Sequence, residues 1–240
     1  MPELDGKVAV VTGSTRGIGF AIAEALAVTG AHVVVSSRTP DNVQEAARKL
    51  SGRGAGEVVG IPCDVRDPEA CWRLIEATVE RLGRLDILVN NAGVGVFESI
   101  QEMSIDDFRL QIDTNLCGVF YLSKAAVPHL VRSGGGWIVN VGSLASRNTF
   151  AGGTGYNASK FGLLGMSEAM MLDLRHQGIR VSLVMPGSVD TEFSLPGGAG
   201  ARTWALTAED VARAVLGLMD FPARAHVSRV EMRPSMPPKK

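Results

Sequence analysis

Cysteine is scarce in these 240 residues: Cys63, Cys71 and Cys117 are odd in number, and no two are spaced C-x-x-C. That excludes a paired disulfide framework and offers no zinc-ligand pattern, so the chain is expected to hold no metal and to work in a reducing compartment. Excess charge is absent too. Lys and Arg total 24 against 25 Asp and Glu, a formal net charge of -1, which argues against a basic surface for nucleic acid. No apolar run approaches the roughly 18 residues of a bilayer span. The opening MPELDGKVAVVTG carries acidic residues where a signal peptide would be basic. The expectation is a cytoplasmic protein with no membrane and no nucleic-acid partner. Internal repeats and Pro/Ser-rich linkers are also missing. With 45% hydrophobic side chains, a chain of this length can bury roughly three quarters of its unfolded surface, and residues 1–240 read as a single domain.

What is present is an alternation. Continuous apolar runs at Val8 to Val11, Val33 to Val35, Ile87 to Val89, Ile138 to Val141 and Val181 to Val184 read as strands buried on both faces. Between them Ile18 to Thr29, Asn42 to Leu50, Pro68 to Arg81, Asp106 to Val131, Gly155 to His176 and Ala208 to Met219 carry apolar residues at helical spacing, with Asp67 and Thr207 placed as N-caps. A last strand is expected near Val227 to Met232. This pattern predicts an α/β fold: a doubly wound parallel β-sheet of about seven strands with helices on both faces. One long irregular stretch, residues 187–206, contains Gly197, Gly198 and Gly200 and reads as a lid.

The first strand runs into Thr12-Gly13-Ser14-Thr15-Arg16-Gly17-Ile18-Gly19 and then a helix. Strand, glycine turn and helix in this order make a diphosphate cradle. Gly13 permits the tight turn, Gly17 lets the backbone approach the anion, and Gly19 allows the helix to pack closely on the strand. The second strand tests which dinucleotide binds. An NAD site offers a carboxylate about 20 residues beyond the glycines for the ribose 2′-hydroxyl. Here the sequence reads Ser36-Ser37-Arg38, with no acid before Asp41, and Arg38 with Arg16 would flank a 2′-phosphate instead, so NADP(H) is the expected cofactor.

Tyr156 and Lys160 stand four apart, on one face of a helix. A phenol titrating near 10 is a poor base at neutral pH, but a cation about 5 Å away at an effective dielectric near 20 is worth roughly 3 kcal/mol, or about two pKa units, and would bring it into range for acid–base catalysis. Ser143 follows the fourth apolar run, where its hydroxyl would bond a substrate oxygen; Asn115 lies inside a long helical pattern, where a polar amide needs a specific partner.

In order and spacing, Thr12-Gly13-x-x-x-Gly17-Ile18-Gly19, Asn90-Asn91-Ala92-Gly93, Asn115, Ser143, Tyr156-x-x-x-Lys160 and Pro186-Gly187-x-Val189-x-Thr191 resemble the short-chain dehydrogenase/reductase family over essentially the whole chain. The resemblance implies a Rossmann-like catalytic domain in which Asp64 and Val65 border the adenine, Asn91, Ala92 and Gly93 line the cofactor cleft, and Pro186, Gly187, Val189 and Thr191 hold the nicotinamide end. It implies that Asn115, Ser143, Tyr156 and Lys160 are catalytic, with Lys160 also bonding the nicotinamide ribose and Asn115 anchoring a relay water. It further implies assembly as a homotetramer or homodimer through the long helices starting near Asp106 and Gly155, where Met166, Met170 and Met171 are either interface or core. Arg38 after two serines matches the family's NADP(H)-preferring members.

The substrate walls are expected at Val94, Gly95, Val96 and Phe97, at Leu144 and Ala145, and at the lid residues Phe193 and Leu195. Their apolar character favours a small-molecule ketone or aldehyde, or the matching alcohol, with a hydrophobic body, while Arg147 and Arg202 leave room for a carboxylate. The ending Ala225 to Pro234 lacks the glycine-rich last strand of the 3-oxoacyl carrier-protein reductases and resembles the NADP-dependent 3-hydroxy acid dehydrogenases. Two other readings stand beside the reductase: an NADPH-binding sensor or scaffold, which would need no acid–base pair, and a sugar-nucleotide epimerase, which would need more carboxyl-terminal chain.

Overall fold

The computed structural model describes residues 2–191 and 202–238. Its strands are β1 (Val8–Thr12), β2 (His32–Ser36), β3 (Val58–Gly60), β4 (Ile87–Asn90), β5 (Gly136–Val141), β6 (Ile179–Pro186) and β7 (Arg229–Met232). They form one parallel sheet in the order β3-β2-β1-β4-β5-β6-β7. The apolar runs lack a polar face because both faces are covered: β1 and β4 are buried at every position. Alternate residues divide between two cores. Ala9, Val11, Val33, Val35, Ile87 and Val89 pack against α1 (Gly17–Val28), α2 (Pro40–Leu50) and α7 (Ala208–Met219), while Val10, Val34, Leu88 and Ile138 pack against α3 (Pro68–Leu82) and α5 (Gly118–Arg132).

Asp67 and Thr207 cap α3 and α7 as expected, accepting from the backbone N–H groups of Glu69 and Asp210. Two elements differ from the sequence reading. β3 spans three residues at the sheet edge, too short for an apolar run to declare it. The helical pattern from Asp106 to Val131 is not one helix: α4 (Ile105–Ile112) passes through a π turn, Asp113–Cys117, into α5. The extra residue of a π turn shifts the register of everything after it while the chain stays helical. Asn115 sits in that turn. Helix α6 (Thr154–Leu174) runs beside α4 and β6 and carries both Tyr156 and Lys160. Its Met166, Met170 and Met171 pack partly buried against the cores.

The order of strands reverses between β1 and β4, because β1 leads outward to β2 while the chain returns to β4 on its other side. Such a switch point opens a crevice at the carboxyl ends of the strands, where open α/β sheets bind ligands.

Candidate functional site

The glycine turn lies at that crevice and is fixed from β4. Asn91 Nδ2 donates to the carbonyls of Thr12 at 2.9 Å and Gly13 at 3.0 Å, and Thr12 Oγ1 accepts from the backbone N–H groups of Asn91 and Ala92. Gly13 has φ +62°, and a Cβ there would fall 2.8 Å from Ala92 Cα. A Cβ on Gly19 would fall 2.3 Å from Gly13 O. Both close approaches exclude any larger residue. Gly17, at φ +54°, faces Thr191 Cγ2 at 3.5 Å from such a Cβ, so the segment after β6 meets the cradle as the sequence order anticipates. Ser14 departs from its expected role: it is fully buried, its N–H donates to Ser36 O, and its hydroxyl bridges Val11 O and Ser36 N–H. It ties β1 to β2 instead of facing a cofactor.

Several features fit a dinucleotide here. Helix α1 starts at Gly17 with no side-chain cap and no acid in its first turn, leaving the anion-binding N–H groups of a helix start without an internal partner of that kind. Thr15, Arg16 and Ile18 surround that start, Arg16 on the exposed side and Ile18 packed against the core. At the other end of the crevice Ser37 O accepts from Cys63 N–H at 2.9 Å, which joins the end of β2 to Asp64 and Val65. Asp64 is held below the usual carboxylate range chiefly by its hydrogen bonds to Arg66, with the charge of Arg38 adding to the effect. Arg38 and Asp64 therefore sit near one another at one corner, and Arg38 is exposed there.

The four residues singled out for chemistry are brought together. Tyr156 is 8% exposed and Lys160 5% exposed. Lys160 Nζ donates to Val141 O at 3.0 Å, and a Cβ on Gly93 would lie 3.8 Å from that Nζ and 3.3 Å from Asn115 Oδ1. An ammonium has three donors, so a buried Lys160 has capacity left for a polar ligand beside the Asn-Ala-Gly turn. Ser143 caps the short turn Leu144–Ser146 and hydrogen-bonds the Tyr156 phenol. Asn115 donates to Val94 O and Ser159 Oγ and accepts from Val94 N–H, each within 2.9 Å. Its side chain is thus a clamp on the loop after β4.

One electrostatic expectation is overturned. The phenol of Tyr156 is not pulled down by Lys160; burial raises it, and the Ser143 hydrogen bond offsets only part of that. The ammonium of Lys160, 5.8 Å from the ring centroid, is itself desolvated, and its burial pushes it down to about 8. This has a measurable sign. The unfolded chain keeps lysine near its usual value of about 10.5, so between about pH 8 and that value the unfolded state binds more protons and the folded state gains stability as pH rises. The thermal midpoint of the cofactor-free protein should climb through this window relative to Lys160→Met; parallel curves for the two proteins would contradict the assignment.

The remaining predicted residues sort as follows. Leu144 Cδ1 would touch a Cβ on Gly187 at 3.0 Å, placing both at the crevice. Gly187 N–H is committed to Met232 O. Ala145 and Val189 are buried, and Pro186 ends β6. Val94, Gly95 and Val96 lie half-buried in the loop after β4. Phe193 and Leu195, with half of the expected lid, lie outside the described residues. Arg147 pairs with Glu231, while Arg202 donates to Val189 O and its buried Nε stands 4.0 Å from Asp190 Oδ1 with no hydrogen-bond partner among the described residues. The sequence reading passed over Gln111, Phe150 and Asn157. Gln111 is a buried amide with no motif around it, and Asn157 occupies an unspecified position inside the Tyr156-x-x-x-Lys160 motif.

No helix of the described residues is long and apolar enough to cross a membrane, and those residues hold no cluster of three or more potential metal ligands.

Comparison with known proteins identifies the family. The family pattern for short chain dehydrogenases matches residues 7–197. Human dehydrogenase/reductase SDR family member 4 is 42% identical over 192 residues, 80% of this chain and 69% of the human one. A metagenomic short-chain oxidoreductase solved in complex with NADP superposes with TM-score 0.86 at 35% identity, covering 98% of this chain and 100% of that one. An alcohol dehydrogenase from Thermococcus sibiricus, complexed with 5-hydroxy-NADP, gives TM-score 0.90 at 31% identity over 98% of this chain and 99% of that one. With its motifs in place on one doubly wound sheet, the chain belongs to the short chain dehydrogenase family of oxidoreductases.

Proposed function

We propose that this chain is a single-domain, cytoplasmic NADP(H)-dependent reductase that interconverts a ketone or aldehyde and its alcohol, with Tyr156 as the acid–base residue. The observation that carries this reading is the convergence of Tyr156, Ser143 and Lys160 within one buried corner beside the glycine cradle. NADPH, when bound, supplies the hydride. The chain's own groups do the rest. The N–H groups at the start of α1 receive the diphosphate, and Arg38 with Arg16 receives the 2′-phosphate. Lys160, beside the Asn91-Ala92-Gly93 turn, would hold the ribose. Ser143 and Tyr156 donate hydrogen bonds to the substrate oxygen, polarising the carbonyl. A phenol raised by burial keeps its proton at neutral pH, which suits it to protonate the developing alkoxide.

The described ends of the 187–206 stretch support its reading as a lid: Thr191 Cγ2 would lie 3.5 Å from a Cβ on Gly17, and a backbone bridge joins Val189 to Leu206. The ion pair of Arg147 with Glu231 and the apolar Val94, Val96 and Leu144 favour an apolar substrate body over a 3-oxo or 3-hydroxy acid carboxylate. Assembly as a homotetramer or homodimer is supported by Phe108, Phe120, Phe161 and Leu172, left exposed on α4, α5 and α6.

The test follows NADPH absorbance with purified protein against ketones, 3-oxo esters, quinones and 3-oxo acids, repeated with NADH, on material whose mass by light scattering is two or four chains. Consumption is expected with apolar ketones and NADPH. Tight NADPH binding with no turnover on any of them would instead favour the sensor reading.

A further inference from the structure

Phe97 is 51% exposed and Phe150 46% exposed, beside a Tyr156 that is 8% exposed. The Phe97 ring meets the Tyr156 ring at a centroid distance of 5.4 Å and an angle of 71°, and the Phe150 ring at 5.8 Å and 54°. Three aromatic rings thus stand in a tilted series that begins at the phenol and ends in solvent. Their backbones are held. Val96 N–H donates to Gln111 Oε1 at 3.0 Å, and Gln111 is fully buried. On the other side Asn157 Nδ2 donates to Ala145 O and Asn148 O while its Oδ1 accepts from Phe150 N–H. A β-bridge joins Glu98 to Gly153, where a Cβ would come within 2.9 Å of the Phe150 ring. Two phenylalanines left half in water yet fixed by buried amides are pre-ordered for a partner that covers them.

We infer that Phe97 and Phe150 form the wall of the substrate pocket that takes the flat ring of an aryl ketone. This rests on the reading of Tyr156 as the proton donor. Aromatic rings prefer tilted or edge-on neighbours at centroid distances of roughly 4.5–7 Å, the geometry these rings already adopt with one another. A further ring continues the series. Because Phe97 touches the Tyr156 ring itself, a ring seated on Phe97 carries its carbonyl beside the phenol without a spacer chain. A saturated ring of equal bulk gains the apolar burial but not the edge-to-face attraction.

Acetophenone and cyclohexyl methyl ketone separate these contributions. With NADPH, the wild-type protein is expected to favour acetophenone by about tenfold in kcat/KM, the size of one or two aromatic pairs, and Phe97→Leu or Phe150→Leu to bring the ratio toward one. Both positions are exposed, and unchanged thermal midpoints establish that the variants fold. A wild-type ratio near one, or a ratio that neither substitution moves, overturns the inference while leaving the reductase reading intact. If wild type reduces neither ketone, calorimetry on the NADP+-loaded protein decides. Acetophenone binding that is lost in Phe150→Leu upholds the wall and overturns only the reductase reading; absent binding overturns both.

Discussion

Arg38→Ser is expected to lower kcat/KM for NADPH by roughly 10- to 150-fold while leaving that for NADH within about threefold, since a charge-assisted hydrogen bond contributes about 1.5–3 kcal/mol. The expectation follows from what stands at the end of β2. There is no carboxylate to accept a ribose 2′-hydroxyl, and Arg38 lies exposed near enough to Asp64 to act on its charge. Adding Arg16→Ser should take the loss beyond about a hundredfold, because the second arginine approaches the same phosphate from the glycine turn. Initial rates with both cofactors measure it. Equal kcat/KM for NADH and NADPH in the wild-type protein would remove the basis for the assignment, and an equal loss with both cofactors in Arg38→Ser would show that Arg38 acts on the fold.

Asp64 bears on that experiment. Its carboxylate is engaged by Arg66 through Nε and the terminal nitrogen and by the Arg66 backbone N–H. An unengaged acid at this corner would repel a 2′-phosphate. Pairing with Arg66 offsets that charge, so the corner can favour the phosphate despite the acid within it.

How far the sequence carries can be seen residue by residue. Strands β1, β2, β4, β5 and β6 were legible because a strand covered on both faces has few polar positions to interrupt its apolar run, the buried Asn140 and Ser182 being the exceptions. β3 was not, since three residues, Val58–Gly60, leave no run to read. The π turn at Asp113–Cys117 was hidden for a different reason: the chain remains helical through it, so the apolar spacing on either side still looks like one helix. Within the site, the spacing of Tyr156 and Lys160 placed them on one face of α6, and this was sound. Spacing says nothing of solvent, however, and it is burial that sets the titration of both groups, reversing the direction expected for the phenol. Arg147 looked available near Ser143 because its partner, Glu231, comes from β7, far away in the chain. Gln111 and Asn157 were silent for the same reason: each binds backbone of a loop that only the fold brings near.

Tyr156→Phe tests the central claim most directly. The substitution keeps the ring, its edge-on contact with Phe97 and its burial on α6, and removes only the oxygen proposed to donate the proton. General acid–base catalysis by a positioned side chain is worth about 10²- to 10⁴-fold, so kcat for ketone reduction should fall below a few per cent of wild type. The affinity for NADPH, measured by fluorescence titration, should stay within about twofold. A variant that binds NADPH normally and retains more than a few per cent of kcat would contradict the account, because the proton would then be coming from elsewhere.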